Sequence, residues 1–288
     1  LPEARSQTDD TAVAEGSGNA GTGGATTWQY DDKRSRDIVR RDVRLKGVKS
    51  GGIWHLYKMG GITPAITSMF NAQSAQQMAF IRSIMREQRK NPLFEVPLDT
   101  LELVVFDLET TGFSPYNGDE IISIGAVAVQ GDKVFEDDTF YSLVNPKRPI
   151  PSDVTQLTGI TNDMADAAPD LLYGLGSFLE FVRQKVLIAH GTGHDKHFLN
   201  SALWKTSKIN STHRMLDTMM ITKWLNPDLE KYDLDYVLAY YNVDITTRHH
   251  ALEDAMMTAK LWSKLMAEIR SRRIHTLGDL YTQLSRHQ

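Results

Sequence analysis

Three β-type runs follow one another directly in the middle of this chain, and they limit its architecture more than any other feature. "LELVVFD" (101–107), "EIISIGAVAVQ" (120–130) and "KVFEDDTFYSLVNP" (133–146) are rich in β-branched and aromatic residues. Only Gly131 and Asp132 separate the second run from the third, which is the turn chemistry of a β-hairpin. The pattern then changes. A helical stretch around "LLYGLGSFLEFVRQK" leads to the short apolar run "VLIAH". Helices are predicted next at "DKHFLNSALWK", around "LDTMMITKWL", at "LDYVLAYYN" and along "ALEDAMMTAKLWSKLMAEI". Antiparallel strands followed by strand and helix alternation point to the α/β class, with one mixed β-sheet flanked by helices.

Around this body the composition shifts. Residues 1–27 are mostly Gly, Ala, Thr and Ser, too poor in large apolar side chains to offset chain entropy, and are expected to be disordered. Residues 28–99 form a basic, partly helical N-terminal extension. It contains Arg34, Arg36, Arg40, Arg41 and Arg44, and a helical stretch that presents Met78, Ile81, Ile84 and Met85 on one face. The main domain is expected at 100–270 and a C-terminal helix at 271–288. Residues 31–90 carry 13 Lys and Arg against 5 Asp and Glu, in a chain whose net charge is -4. A basic arm on an acidic body suits a protein that approaches a polyanion and holds cations at its centre, although such charges also simply solvate a helix. The chain has no cysteine, which excludes disulfides, zinc–thiolate sites and thiol nucleophiles. It has no run of about 18 apolar residues and begins without a basic and apolar leader pattern, so the expectation is a cytoplasmic protein with no membrane span.

The chemistry is carried by acids. In "VVFDLETTGF" Asp107 and Glu109 stand two apart on a strand and therefore share a face. Two carboxylates that close repel, and they need a shared proton or a divalent cation. "VLIAHGTGHDKHFL" puts Asp195 in the first turn of a helix, where the helix dipole favours an acid in any case. The glycines of that stretch do not make a nucleotide loop, because Lys196 stands where the third Gly of G-x-G-x-x-G belongs. His190, His194 and His197 lie in it too, but no H-E-x-x-H occurs and the neighbouring acids favour a hard cation over zinc. In "RHHALEDAMM" His249 and Asp254 are five apart. They face one site only if His249 lies on the loop ahead of the helix, and His250 competes for the same part.

Taken together, "DLETTG", "HGTGHDKHFL" and "HHALEDA" resemble the three motifs of the DEDDh 3′-to-5′ exonucleases, the DnaQ-like group that includes the epsilon proofreading subunit of bacterial DNA polymerase III. "LTGIT" (157–161) and "LDT" (216–218) look like stretches between those motifs, and the resemblance covers roughly residues 100–268. It implies a ribonuclease H-like fold. It also implies that Asp107, Glu109, Asp195 and Asp254 are ligands of two Mg²⁺ or Mn²⁺ ions and that His249 is the general base. Substrate contacts are expected from Thr110, Phe113 and His190. The implied substrate is the 3′ end of single-stranded nucleic acid, DNA ahead of RNA, with a DNA polymerase subunit as a possible partner; a catalytically silent nucleic-acid-binding scaffold is the reading from another class. Two positions depart from the motif: Gly191 stands where Asn often follows the His, and His194 where an aromatic is common.

Overall fold

The structure, a computed structural model, describes residues 64–90 and 92–286. The low-complexity start and the arginines at 34, 36, 40, 41 and 44 lie outside the described residues, as does the terminal pair 287–288. Five strands form one sheet: β1 (Glu102–Thr110), β2 (Ile121–Gln130), β3 (Lys133–Leu143), β4 (Val186–Ala189) and β5 (Met215–Asp217), in the order β3-β2-β1-β4-β5. The first three pair antiparallel, and β4 and β5 run parallel to β1, so the sheet is mixed as predicted. The described helices are α1 (Pro64–Gln88), α2 (Ser152–Thr158), α3 (Asn162–Asp166), α4 (Leu171–Val182), α5 (Gly193–Ser207), α6 (Thr218–Leu225), α7 (Leu234–Tyr240), α8 (Ala251–Ser271) and α9 (Leu277–Ser285).

The period of β1 sorts its side chains between two cores. Val104, Phe106 and Leu108 join the cluster that holds Ile81, Ile84 and Met85 of α1, Phe178 of α4 and Phe198 of α5. Leu103 and Val105 join the opposite cluster, built on Trp262, Leu265 and Ile269 of α8 and Leu277 and Leu280 of α9. Ile81, Ile84 and Met85 of the apolar spacing read in residues 72–90 therefore seat that helix against α4 and α5. At the far end, α9 begins with a capping box in which Thr276 and Asp279 satisfy each other's backbone N–H groups.

Two joints fix the long helix α8. The indole of Trp262, fully buried, donates to the carbonyl of Gly131 in the hairpin turn at 2.7 Å. Gly125 in β2 lies directly under the first turn of α8, where a Cβ would overlap the backbone of Ala251 and Leu252. Only glycine lets the helix start this close to the sheet.

Strand β1 runs on to Thr110, three residues past the run read in the sequence, and carries both acids at its end, as expected. The structure differs from the sequence-based expectation in two places. "LDT" opens with a fifth strand and only then turns helical, because Leu216 pairs with Ile188. The short helices α2 and α3 had no periodicity long enough to signal them. No described helix is long and apolar enough to cross a membrane.

Candidate active site

Asp107 and Glu109 continue the odd-numbered face of β1, the side covered by α8. Asp195 reaches the same end of the sheet from the first turn of α5, which follows β4 after only three residues. Asp254 lies in the first turn of α8. The sheet order, with β1 between β2 and β4, is what brings these three segments of the chain together.

The two adjacent histidines part company. His249 precedes the helix with a left-handed backbone (φ 60°), which is costly for a residue with a side chain and marks a site held by its surroundings. Its backbone N–H donates to Asp254 at 2.9 Å. Ligand atoms of Glu109, His249 and Asp254 all lie within 4.8 Å of one another. His250 instead stacks on Tyr141, ring centroids 4.7 Å apart at 14°, and its Nδ1 is buried without a hydrogen-bond partner. Burial holds its imidazole below the usual range. The convergence of His249 and Asp254 thus depends on the non-helical conformation of His249.

Asp195 and Asp254 are buried, Glu109 is 9 % exposed and Asp107 keeps partial access to solvent. Burial pushes all four carboxyls up. That of Asp107 rises well above the usual carboxylate range, helped by the charges of Asp195, Glu109 and Asp254. Glu109 is pushed up to about 8 by burial and by Asp254 and Asp195. Asp195 rises to about 7 through burial and the charge of Asp217, against hydrogen bonds from the backbone. For Asp254 burial wins over Arg248, which pulls the other way. Four acids that resist ionisation next to one another make a site that a hard divalent cation would relieve, and carboxylate oxygens are the donors such ions take.

One cation is already there. Arg248 pairs with Asp254 through Nη1 and with Asp235 of α7 through Nε at 2.5 Å, and it lowers the carboxyls of Asp107 and Glu109 as well. Sequence reasoning missed it, since a basic residue beside two histidines reads as ordinary surface charge.

The loop before α5 is pinned by another residue that was noticed only as part of a motif. Asp217 caps α6 and accepts from the backbone N–H groups of Gly191 (2.9 Å), Thr192 (2.8 Å) and Met219 (2.9 Å). Gly191 has φ 72°, a left-handed conformation open to Gly and to Asn, so its departure from the motif leaves the loop's shape intact. The other departure, His194, makes an edge contact with Phe113 and packs on Phe198 at 4.7 Å, as an aromatic would.

Of the expected substrate contacts, Thr110 ends β1 with its hydroxyl donating to Gly112 O and lying 3.4 Å from His194 Nε2. Phe113 is 88 % exposed beside its edge contact with His194. His190 is tied to two other segments of the chain. Nε2 donates to the Tyr232 carbonyl (2.8 Å) and Nδ1 lies 2.9 Å from the Thr218 hydroxyl, so both ring nitrogens are taken up in fastening the loop. Burial keeps this imidazole below its usual range.

Residues 104–262 match the RNase T family, described as "Exonuclease". Among curated relatives, a PolC-type DNA polymerase III from Caldanaerobacter subterraneus subsp. tengcongensis is 39% identical over 185 residues, 64% of this chain and 13% of that protein. A DNA polymerase III subunit epsilon-like protein from Rhodobacter capsulatus is 33% identical over 214 residues, 74% of this chain and 30% of that one. The chain therefore spans well under half the length of either relative. Among solved structures, the nuclease domain of 3′hExo, described as a DEDDh family member bound to rAMP, superposes with a TM-score of 0.52 at 20% identity, covering 58% of this chain and 92% of that one. Escherichia coli Exonuclease I in complex with a dT13 oligonucleotide gives 0.52 at 12% identity, over 60% and 43%. Both likenesses concern the fold.

Proposed function

Because this chain belongs to the exonuclease family, in its DEDDh branch, we propose that it is a metal-dependent 3′-to-5′ exonuclease that releases nucleoside 5′-monophosphates from DNA 3′ ends, in repair or proofreading. The observation that carries the reading is the meeting of Asp107, Glu109, Asp195, Asp254 and His249 at one end of the sheet, with every carboxyl pushed up by burial. The four carboxylates would hold Mg²⁺ or Mn²⁺. When bound, two such ions supply Lewis-acid activation and stabilise the charge that builds on the attacking and leaving oxygens.

The chain's own groups divide the remaining work. An imidazole nitrogen of His249 takes the proton of the water that attacks phosphorus, and the strained backbone at this residue aims the ring at the carboxylates. The P–O3′ bond breaks and the departing O3′ takes a proton from solvent water, leaving the monophosphate and a strand one nucleotide shorter with a new 3′-hydroxyl. Thr110 and Phe113 stand at the open end of β1, where Phe113 offers its ring to the terminal base. His190 acts on substrate only by holding the loop ahead of Asp195. The DNA preference is supported by the names of the two polymerase relatives, whose wider activities and partners belong to much longer proteins.

Purified protein with Mg²⁺ or Mn²⁺ on matched 5′-labelled single-stranded DNA and RNA tests the proposal. Shortening from the 3′ end, faster on DNA, is expected, with Asp254→Ala inactive and His249→Ala slowed about 10²- to 10⁴-fold. Faster loss of RNA would make the enzyme an exoribonuclease. No shortening of either polymer, with binding retained, would leave a silent scaffold. A loss in His250→Ala equal to that in His249→Ala would reassign the base.

A further inference from the structure

Strand β2 sets only small residues against the acids of β1. Its register places Gly125 opposite Asp107 and Ser123 opposite Glu109. Directly opposed residues of an antiparallel pair share a face, with Cβ atoms about 4.5–5.5 Å apart, so the Ser123 side chain lies on the carboxylate side of the sheet beside Glu109. It is fully buried, and its hydroxyl oxygen has no hydrogen-bond partner. An unpaired hydroxyl shut away from water is costly, so its retention beside a cluster of acids points to a use there. The four carboxyls are held unequally. Asp254 accepts from the His249 N–H at 2.9 Å, and backbone hydrogen bonds also act on Asp195. What acts on Asp107 and Glu109 is burial and charge. Charge alone does not fix the direction of a carboxylate, whereas an outer hydrogen-bond donor does. Across the strand Asp107 meets a glycine and Glu109 meets a hydroxyl.

We propose that Ser123 is a positioning residue for the exonuclease reaction, its hydroxyl donating to one carboxylate oxygen of Glu109 and leaving the other to the divalent ion. The inference rests on the exonuclease reading and adds an outer donor to its ligand set. His250 offers a second acceptor, since its Nδ1 is also buried without a partner. A serine hydroxyl has one proton to donate, so it serves one of the two at a time. The register favours Glu109. Tyr141, on which His250 stacks, stands opposite Gly125, one same-face position along from Ser123, while Glu109 faces Ser123 directly.

Calorimetric titration of the full chain with Mn²⁺ tests the assignment without turnover. Ser123→Ala is expected to bind Mn²⁺ about 10- to 100-fold more weakly, the range for a lost outer donor to a metal ligand. Its rate on a 5′-labelled single-stranded oligonucleotide should recover as Mn²⁺ is raised. The metal-free Tm should not fall, because the hydroxyl that is removed has no partner there. Ser123→Cys, close in size but a weak donor, should bind Mn²⁺ as poorly as Ser123→Ala. In a Glu109→Gln background, Ser123→Ala should cost no further affinity. An unchanged Mn²⁺ affinity, a lowered metal-free Tm, or an equal loss in the Glu109→Gln background would overturn the role of Ser123, the last by handing its hydroxyl to another acceptor such as His250. A wild type that binds no Mn²⁺ and shortens no strand would sink the exonuclease reading, and this inference with it.

Discussion

Glu109→Gln should stabilise this protein in the absence of divalent ions, although it removes a residue assigned to the centre of its chemistry. Glu109 titrates near 8 in the folded chain against an ordinary 4.5. A carboxyl whose folded value lies above the ordinary one binds its proton more tightly when folded. Metal-free stability therefore falls as pH rises from about 4.5 to about 8. Within that interval each pH unit costs about 1.4 kcal/mol, so at pH 7 the upper bound for Glu109 alone is about 3 kcal/mol. Its repulsion is shared with Asp254 and Asp195, which brings the expected gain in Glu109→Gln to roughly 1–3 kcal/mol, or about 2–12 °C in Tm for a body of this size. Thermal unfolding in a chelating buffer across pH 5 to 8 reads it directly. The variant should melt above the wild type at pH 8, the gap should close to a few tenths of a kcal/mol by pH 5, and Mn²⁺ at pH 8 should raise the wild-type Tm more than the variant's. A variant that melts at or below the wild type at pH 8, or an offset that does not change with pH, would refute the claim that like charge and burial dominate this site.

Arg248→Gln should act in the opposite sense. Arg248 is the counter-ion of Asp254 and Asp235 in the metal-free site, so its loss lowers the metal-free Tm and removes a competitor for incoming cations. Calorimetric titration with Mn²⁺ should give about tenfold tighter binding, the equivalent of one charge-assisted hydrogen bond at about 1.4 kcal/mol; unchanged affinity would mean that the arginine moves aside freely. Gly125→Ala forces a methyl group into the backbone of Ala251 and Leu252, which should cost about 1–3 kcal/mol and reduce turnover beyond the stability loss, because Asp254 and His249 move with the start of α8. Normal melting and turnover in that variant would show that α8 has room to spare.

The part of this protein legible in its sequence is the part governed by local chemistry. Three β-type runs with a Gly-Asp turn dictated an antiparallel start, and the two-residue period of β1 by itself puts Asp107 and Glu109 on one face. Other features depend on neighbours far along the chain. His249 and His250 are equivalent in sequence, and only the tertiary structure turns one ring to the carboxylates and stacks the other on Tyr141. His190 looked available for substrate until Tyr232, more than 40 residues on, took one ring nitrogen and Thr218 the other. Tyr116 and His197 are 81 residues apart, and nothing local to either predicts their pairing. Periodicity and turn chemistry act over a few residues and survive in the sequence. Burial, repulsion between distant acids and the direction of a side chain exist only once the sheet order has brought β1, β4 and α8 together.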